Sequence, residues 1–154
     1  MPPDVLKTVY YAHIYSLLTY CNPIWSTTFP TYLTPLNLQL KKVVRILTNS
    51  SYLEHTSPLF KQTQLLKLAD ITKLSIATYM YNNKSNLINL LPTHAHLTRH
   101  RDQLSLPQHR LCKFQHSTCY LGPTIWNSLP FEIKEVPSLS MFKTKLRNYI
   151  LANY

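Results

Sequence analysis

The sequence has 154 residues, 16 lysines and arginines against 6 acidic residues, and a formal net charge of +10. Its single glycine excludes phosphate-cradling loops, dinucleotide fingerprints and nucleophile elbows, because each needs several glycines for positive φ or close backbone approach. The excess of positive charge favours a polyanionic partner, since lysines and arginines that neutralise phosphates release counterions.

The first predicted helix runs from Asp4 to Cys21. It should end at Asn22, because the following Pro23 disfavours helical geometry in the residue before it. Apolar side chains recur at steps of three and four, which predicts one buried stripe along this helix. The stripe consists of Leu6, Tyr10, Ile14, Leu17 and Cys21.

A second helix is predicted to open at Thr34, with Pro35 in its first turn and its end at Asn49. Its apolar stripe would be Leu36, Leu40, Val43 and Leu47. Lys41, Lys42 and Arg45 fall on the opposite face of the same helix. This basic helical face is a candidate surface for phosphate contacts.

Three further helices follow from the same periodicity. One spans residues 57–68, and the next spans residues 70–81 with Asp70 as its N-cap and Ile71, Leu74, Ala77 and Tyr81 facing the core. The last begins after Ser138, and its inward residues are Leu139, Phe142, Leu146 and Ile150. The predicted fold class is therefore mainly α.

Residues 92–122 differ in composition from the rest of the chain: they hold five of the seven histidines, four basic residues and one acid. Residues 103–106 and 113–120 could pair as a small β-hairpin, and an irregular arm is the alternative. The basic residues here, Arg99, Arg101, Arg110 and Lys113, are further candidates for nucleic-acid contact. A short turn is also expected at residues 87–91.

The chain offers little for catalysis. Its acids are scattered and no two are adjacent, whereas nucleotidyl transfer needs clustered carboxylates to hold Mg²⁺. Cys112, His116 and Cys119, with His109 nearby, are zinc-ligand types at an uncommon spacing, and zinc binding stays open. No other cofactor is indicated.

The N-terminus shows no leader, no stretch is apolar enough to cross a membrane, and the three cysteines form no disulfide framework. We therefore expect an intracellular protein, nuclear or cytoplasmic.

Several segments together resemble the C-terminal part of reverse transcriptases from LINE-type, non-LTR retrotransposons of the jockey-like kind. The matching pieces keep the family's order and spacing across nearly the whole chain. The most specific piece is the Trp-Asn-Ser-Leu-Pro run at residues 126–130. The segments are YSLLTYCNPIW (15–25), LKKVVRI (40–46), TSPLF (56–60), LLKLADI (65–71), GPTIWNSLP (122–130) and SLSMF (138–142).

The resemblance implies three parts: a thumb-like helical domain at residues 4–83, a basic, histidine-rich connecting arm at 84–121, and a C-terminal segment and helix at 122–154. In the family, the thumb grips the template–primer duplex behind the active site. The motif positions carried over are Trp25, Gly122, Pro123, Trp126, Asn127, Leu129, Pro130 and Phe142. Gly122 is expected to provide positive φ or a close backbone approach.

The resemblance also implies that fingers and palm lie outside these 154 residues, and with them the catalytic acids of an RNA-directed DNA polymerase. We therefore expect a truncated fragment that is no enzyme on its own. It would bind RNA or an RNA–DNA duplex through the phosphate backbone, and the palm of the parent polymerase would be its other partner. The alternative is an inert or protein-interaction helical remnant with no activity of its own.

Overall fold

The computed structural model of the protein describes residues 2–83 and 103–154. Within these two ranges the chain is mainly helical and contains no β-strand, which confirms the predicted fold class. The predicted turn at residues 87–91 and the candidates Arg99 and Arg101 lie outside the described residues. The helices are α1 (Pro3–Val9), α2 (Ser16–Thr19), α3 (Asn22–Trp25), α4 (Pro30–Thr48), α5 (Thr56–Thr63), α6 (Leu68–Asn82), α7 (Cys112–Gln115), α8 (Thr118–Ser128), α9 (Phe131–Lys134) and α10 (Leu139–Ala152).

A π-helical segment, Tyr10–Tyr15, joins α1 to α2 and changes which residues face the core. Tyr10 and Leu18 are buried, whereas Leu17 is 74% exposed. A π turn takes up more residues than an α turn, so the residue that faces the core again, eight positions after Tyr10, is Leu18 and not Leu17. The predicted stripe was thus wrong at Leu17.

The same stripe was also wrong at Cys21, which is exposed and takes the left-handed conformation with φ of 47°. This residue ends the first helical run, and α3 starts immediately after it. Asn22 is fully buried in its place, and its side-chain amide donates a hydrogen bond of 2.8 Å to the Leu18 carbonyl.

Helix α4 begins at Pro30, four residues before the predicted start at Thr34. Pro30 occupies the first helical position, where its missing N–H costs no hydrogen bond. The Thr34 hydroxyl does not cap the helix, because it donates to the Pro30 carbonyl at 3.1 Å. Pro35 consequently lies inside the first turns of the helix.

Helix α6 is the centre of the fold. Helices α2, α3, α8 and α10 all pack on it. Asp70 is not its N-cap, as the sequence predicted, because α6 begins two residues earlier with Lys67 in the capping position. The Asp70 carboxylate instead accepts a hydrogen bond of 2.6 Å from the Tyr154 hydroxyl.

The predicted core of the last helix is confirmed at Phe142, Leu146 and Ile150, which are all buried in α10. These side chains share one hydrophobic core with buried residues of α4, α5 and α6. The proposed divisions at residues 84 and 121 stay predictions.

The β-hairpin alternative for the arm was wrong. Residues 103–111 are irregular, whereas residues 113–120, its other predicted strand, belong mostly to α7 and α8. The Asn127 side chain satisfies the backbone of Leu104 instead: it accepts from the Leu104 N–H and donates to the Leu104 carbonyl, each at 2.9 Å. A single amide side chain thus satisfies both backbone groups of Leu104.

None of the helices in the described part of the chain is long and apolar enough to span a membrane.

Candidate nucleic-acid interface

Helix α4 carries the predicted basic face. Leu40 and Val44 turn into the core, with exposed fractions of 3% and 0%. Lys41 and Lys42 are exposed, and Arg45 is half-buried. Lys41 and Arg45 are four residues apart and share one side of the helix, while Lys42 points about 100° away from Lys41.

Arg45 is held in place by the loop that follows α4. Its Nε donates a hydrogen bond of 3.0 Å to the Glu54 carbonyl. Its guanidinium carbon lies 5.9 Å from the centroid of the Tyr52 ring, within reach of a cation–π contact. Arg45 therefore fixes the loop and also presents positive charge beside an aromatic ring that is 71% exposed.

A groove of about 380 Å³ opens beside this face, bounded by α4, the α4–α5 loop and the first residues of α5 and α6. Its size is within the range of about 300–1,000 Å³ that is typical of ligand sites. Buried Leu40, Phe60 and Leu68 contribute its apolar lining. The charged residues that line it are Lys41, Arg45, Lys67 and Glu54.

Three cations against one carboxylate make the groove electropositive. The first residues of α5 and α6 line the groove, so the positive ends of both helix dipoles also lie at its border. No side chain caps either helix end. The Lys67 ammonium is 4.5 Å from the Tyr154 ring centroid. The backbone N–H of the same residue donates to the Tyr154 hydroxyl at 2.8 Å. The groove can thus attract an anion and offer it apolar surface at the same time.

The other predicted basic candidates of the described chain lie elsewhere. Arg110 and Lys113 are exposed, the former in the irregular segment and the latter in α7. Helix α7 packs on α8, whereas α4 packs on α5 and α1. Their positive charge was the reason to consider Arg110 and Lys113, like the basic face of α4, as candidates for nucleic-acid contact.

Three further basic residues, Lys143, Lys145 and Arg147, lie on α10 near the C-terminus and are of two kinds. Lys143 and Lys145 are exposed on α10. Arg147 is half-buried, and its terminal nitrogen donates to the Tyr11 hydroxyl at 2.6 Å and to the Gln64 carbonyl at 3.3 Å. Arg147 therefore ties α10 to the first helical run, and only the two lysines project freely enough to meet a ligand.

Most residues of the family motif are packed in the core. Trp126 is 6% exposed, and its ring lies 6.1 Å from that of Phe142, which in turn stacks on Tyr81 at 4.5 Å. Pro123 and Leu129 are buried, and Pro130 is half-buried where it precedes α9. The motif joins α8 and α10 to α6.

Gly122 shows which of its two expected roles is correct. It has no positive φ, so that expectation was wrong. A Cβ at this position would lie 2.6 Å from the Sδ atom of Met80, so the close-approach expectation is confirmed. The absence of a side chain lets α8 approach α6.

Trp25 also has a structural contact, because its indole Nε1 donates to the Tyr20 carbonyl at 2.8 Å.

The zinc candidates do not converge. Across residues 2–83 and 103–154, no group of three or more histidine, cysteine or acidic side chains is placed to hold a metal ion. Cys112 and Cys119 are exposed as free thiols. The histidine rings contact aromatic neighbours instead: His109 lies 4.8 Å from Tyr120, and His116 lies 5.0 Å from Phe29.

The sequence interpretation missed two residues that line the groove, Glu54 and Lys67, and the adjacent Tyr52, which contacts the groove residue Arg45. None of them lies on the basic face of α4, and they come together through the loop and the start of α6. The only available signal was the aromatic residue directly after the polar run Asn49-Ser50-Ser51, where no apolar stripe buries it.

Comparisons with family models, with curated proteins and with solved structures give no significant match to this chain.

Proposed function

We propose that this chain is the thumb and post-thumb part of a LINE-type retrotransposon reverse transcriptase, and that it binds RNA or an RNA–DNA duplex through the phosphate backbone. The observation that carries this proposal is the basic face of α4, where Lys41 and Lys42 are exposed and Arg45 borders an electropositive groove. Contacts of this kind position a nucleic acid without reading its sequence.

The packing of the motif residues supports the same origin. Trp126, Phe142 and Gly122 all lie where α8 or α10 meets the central helix α6. A motif that holds helices together is independent of the basic surface, so the fold and the charge pattern support the proposal separately. The resemblance and the structure agree on a mainly helical domain.

We expect these 154 residues to have no polymerase activity by themselves. Polymerisation requires clustered carboxylates for Mg²⁺, and the six acids of this sequence include no adjacent pair. In this proposal the catalytic palm belongs to another part of the parent polymerase. A primer-extension assay with the purified chain should give no product, and extension that depends on Mg²⁺ would contradict this expectation.

The first test is the salt dependence of binding to an RNA–DNA hybrid duplex. The double variant Lys41→Ala/Lys42→Ala should weaken binding at low salt and reduce the slope of log K against log salt by about 2 units, because each lost phosphate contact removes about 0.9. Arg45 is left unchanged, since it also anchors the α4–α5 loop. Fluorescence anisotropy over a salt series gives the slope.

The matched control is Lys143→Ala/Lys145→Ala, which removes the same charge from the exposed side of α10. This control variant should keep most of the wild-type slope of log K against log salt. Affinity weaker than millimolar at low salt, or equal slopes for the two double variants, would refute the proposed interface.

A second candidate function is a protein-interaction helical remnant. The observation that favours it is a set of exposed apolar side chains around α2 and α3: Leu17, Tyr20 and Ile24 are 74%, 75% and 76% exposed. Such an apolar patch promotes association with another protein surface when no other part of the protein covers it. Gel filtration with thermal melting separates the two, because a self-sufficient binding module should be monomeric with one cooperative melt. A polydisperse oligomer favours the second candidate.

A further inference from the structure

The groove beside α4 combines two features that a duplex-binding surface does not need together. Its cations suit a phosphate, and one of them, Arg45, lies 5.9 Å from the ring of Tyr52, a residue beside the groove that is 71% exposed. Leu53, the next residue, lines the groove and is 87% exposed. Tyr52 and Leu53, one large aromatic and one large aliphatic side chain, thus follow each other on one loop close to the positive charges of the groove.

A paired duplex cannot use this aromatic ring. Its bases are stacked on one another and present only edges and phosphates to a protein, whereas an unpaired base has a free face for an aromatic side chain. Proteins that hold single strands combine a positive groove for the backbone with aromatic residues on which bases stack. In this chain the groove supplies the cations, and Tyr52 beside it supplies the aromatic ring.

The geometry points to an unpaired nucleotide of a single-stranded RNA or DNA segment as the ligand, with its phosphate in the groove near Lys41, Arg45 and Lys67 and its base stacked on Tyr52 beside the groove. This inference rests on the proposed nucleic-acid function and adds a different mode of binding to it. The duplex backbone would meet the outer face of α4, and a strand that leaves the duplex would enter the groove.

Arg45 makes the arrangement specific. Its guanidinium is held between the Glu54 carbonyl at 3.0 Å and the Tyr52 ring at 5.9 Å, so the cation and the aromatic keep a fixed relation. Tyr52 is 71% exposed although Arg45 lies over its ring, so ring surface remains on which a base can stack. Among the described residues, Glu54 is the one acid that lines the groove, and the three positive charges of Lys41, Arg45 and Lys67 outweigh it.

The test compares three probes on the full chain: an oligouridine strand, the same strand with abasic riboses, and an RNA–DNA hybrid of equal length. The wild-type chain should bind the oligouridine about 5- to 100-fold more tightly than the abasic strand, which is the usual effect of base stacking on an aromatic. Tyr52→Ala should remove this difference, and Tyr52→Phe should keep it. Neither substitution should change binding of the hybrid.

Lys41 and Lys42 provide the control for the groove. They are adjacent on α4, equally charged and both exposed, yet only Lys41 lines the groove. Lys41→Ala should weaken binding of the oligouridine severalfold more than Lys42→Ala does. Circular dichroism should confirm that each variant keeps the helical content of the wild type.

The outcomes separate this inference from the proposed function. If the hybrid binds with the expected salt dependence, but the abasic strand binds as tightly as the oligouridine, the groove inference is overturned and the backbone interface stands. Equal effects of Lys41→Ala and Lys42→Ala on the oligouridine would also overturn it. If neither the hybrid nor the strand binds, both proposals fail.

Discussion

Gly122 is the residue at which sequence and structure explain each other best. It is the only glycine of the chain, and it lies inside α8 without needing a positive φ. Its value is steric, because Met80 of α6 occupies the space that a Cβ would fill. The sequence could indicate that this glycine matters, but it could not identify Met80 as the neighbour 42 positions earlier.

Gly122→Ala should destabilise the protein by up to about 2 kcal/mol. Alanine favours a helix by about 1 kcal/mol over glycine, but forcing extra volume into a packed interior costs about 1–3 kcal/mol. Met80 is 2% exposed and has little room to move aside. Urea unfolding of the two proteins measures the difference.

Two further variants distinguish the clash from a general effect of substitution in α8. Thr124→Ala, at an exposed position of the same helix, should change the unfolding free energy by no more than about 0.5 kcal/mol. The double variant Gly122→Ala/Met80→Ala should lose less unfolding free energy than the sum of the two single-variant losses. The reason is that the new methyl group at position 122 fills part of the cavity left by the Met80 side chain. Strict additivity would exclude the contact as the cause.

At the scale of elements, the first helical run shows how one local irregularity changes a prediction. The apolar periodicity correctly indicates a helix from residue 4 onward, and Tyr10 is buried as predicted. The π segment Tyr10–Tyr15 then shifts the buried side to Leu18. The pattern of apolar residues does not predict a π segment, because such a segment forms where tertiary packing favours an extra residue in one turn.

Leu18→Ala and Leu17→Ala test this shift directly. Leu18 is 5% exposed, and truncating it should cost about 2–5 kcal/mol by removing buried methyl groups and leaving a cavity. Leu17 is 74% exposed, and its truncation should stay within about 0.5 kcal/mol. Thermal or urea unfolding of the two variants measures both losses of stability. A larger loss for Leu17→Ala than for Leu18→Ala would mean that the helix continues with regular α periodicity.

The basic face of α4 is predictable for the same reason that the helix is. Residues four apart share a side of any helix, so Lys41 and Arg45 were placed correctly from spacing alone. The groove was not predictable, because Glu54 and Lys67 reach it from a loop and from the residue that precedes another helix. Loop conformation depends on contacts such as that of Arg45 with the Glu54 carbonyl, which spacing does not encode.

At the scale of the whole molecule, one buried and two half-buried tyrosines couple stability to alkaline pH. Burial raises the pKa of Tyr10 and Tyr15, and burial together with the hydrogen bond to Asp70 raises the pKa of Tyr154. Each group binds its proton more tightly in the folded chain than in the unfolded chain. Their contribution to stability is complete below the unperturbed pKa of about 10 and is lost as pH rises above it.

The protein should therefore lose stability between about pH 10 and pH 12, at up to about 1.4 kcal/mol per pH unit for each such tyrosine. Burial lowers the pKa of Lys134, and this single group acts in the opposite direction. Tyr10→Phe should make the alkaline loss less steep. At pH 7 the same variant should be as stable as the wild type or more so, because the Tyr10 hydroxyl is buried without a hydrogen-bond partner in the described structure.

Urea unfolding at several pH values measures both effects. An unchanged alkaline slope in Tyr10→Phe would show that this tyrosine does not carry the coupling. A loss of more than about 1 kcal/mol at neutral pH would show that its hydroxyl has a partner after all.

The sequence by itself determined the mainly helical class, the inward face of α10 and the basic face of α4, because each depends on spacing within one helix. Tertiary structure decided the rest: the phase of the first helical run, the role of Gly122 against Met80, the pairing of Asn127 with Leu104, and the groove between α4, α5 and α6. These features join residues that are far apart in the chain. Their positions follow from how the helices pack around α6, which no local pattern specifies.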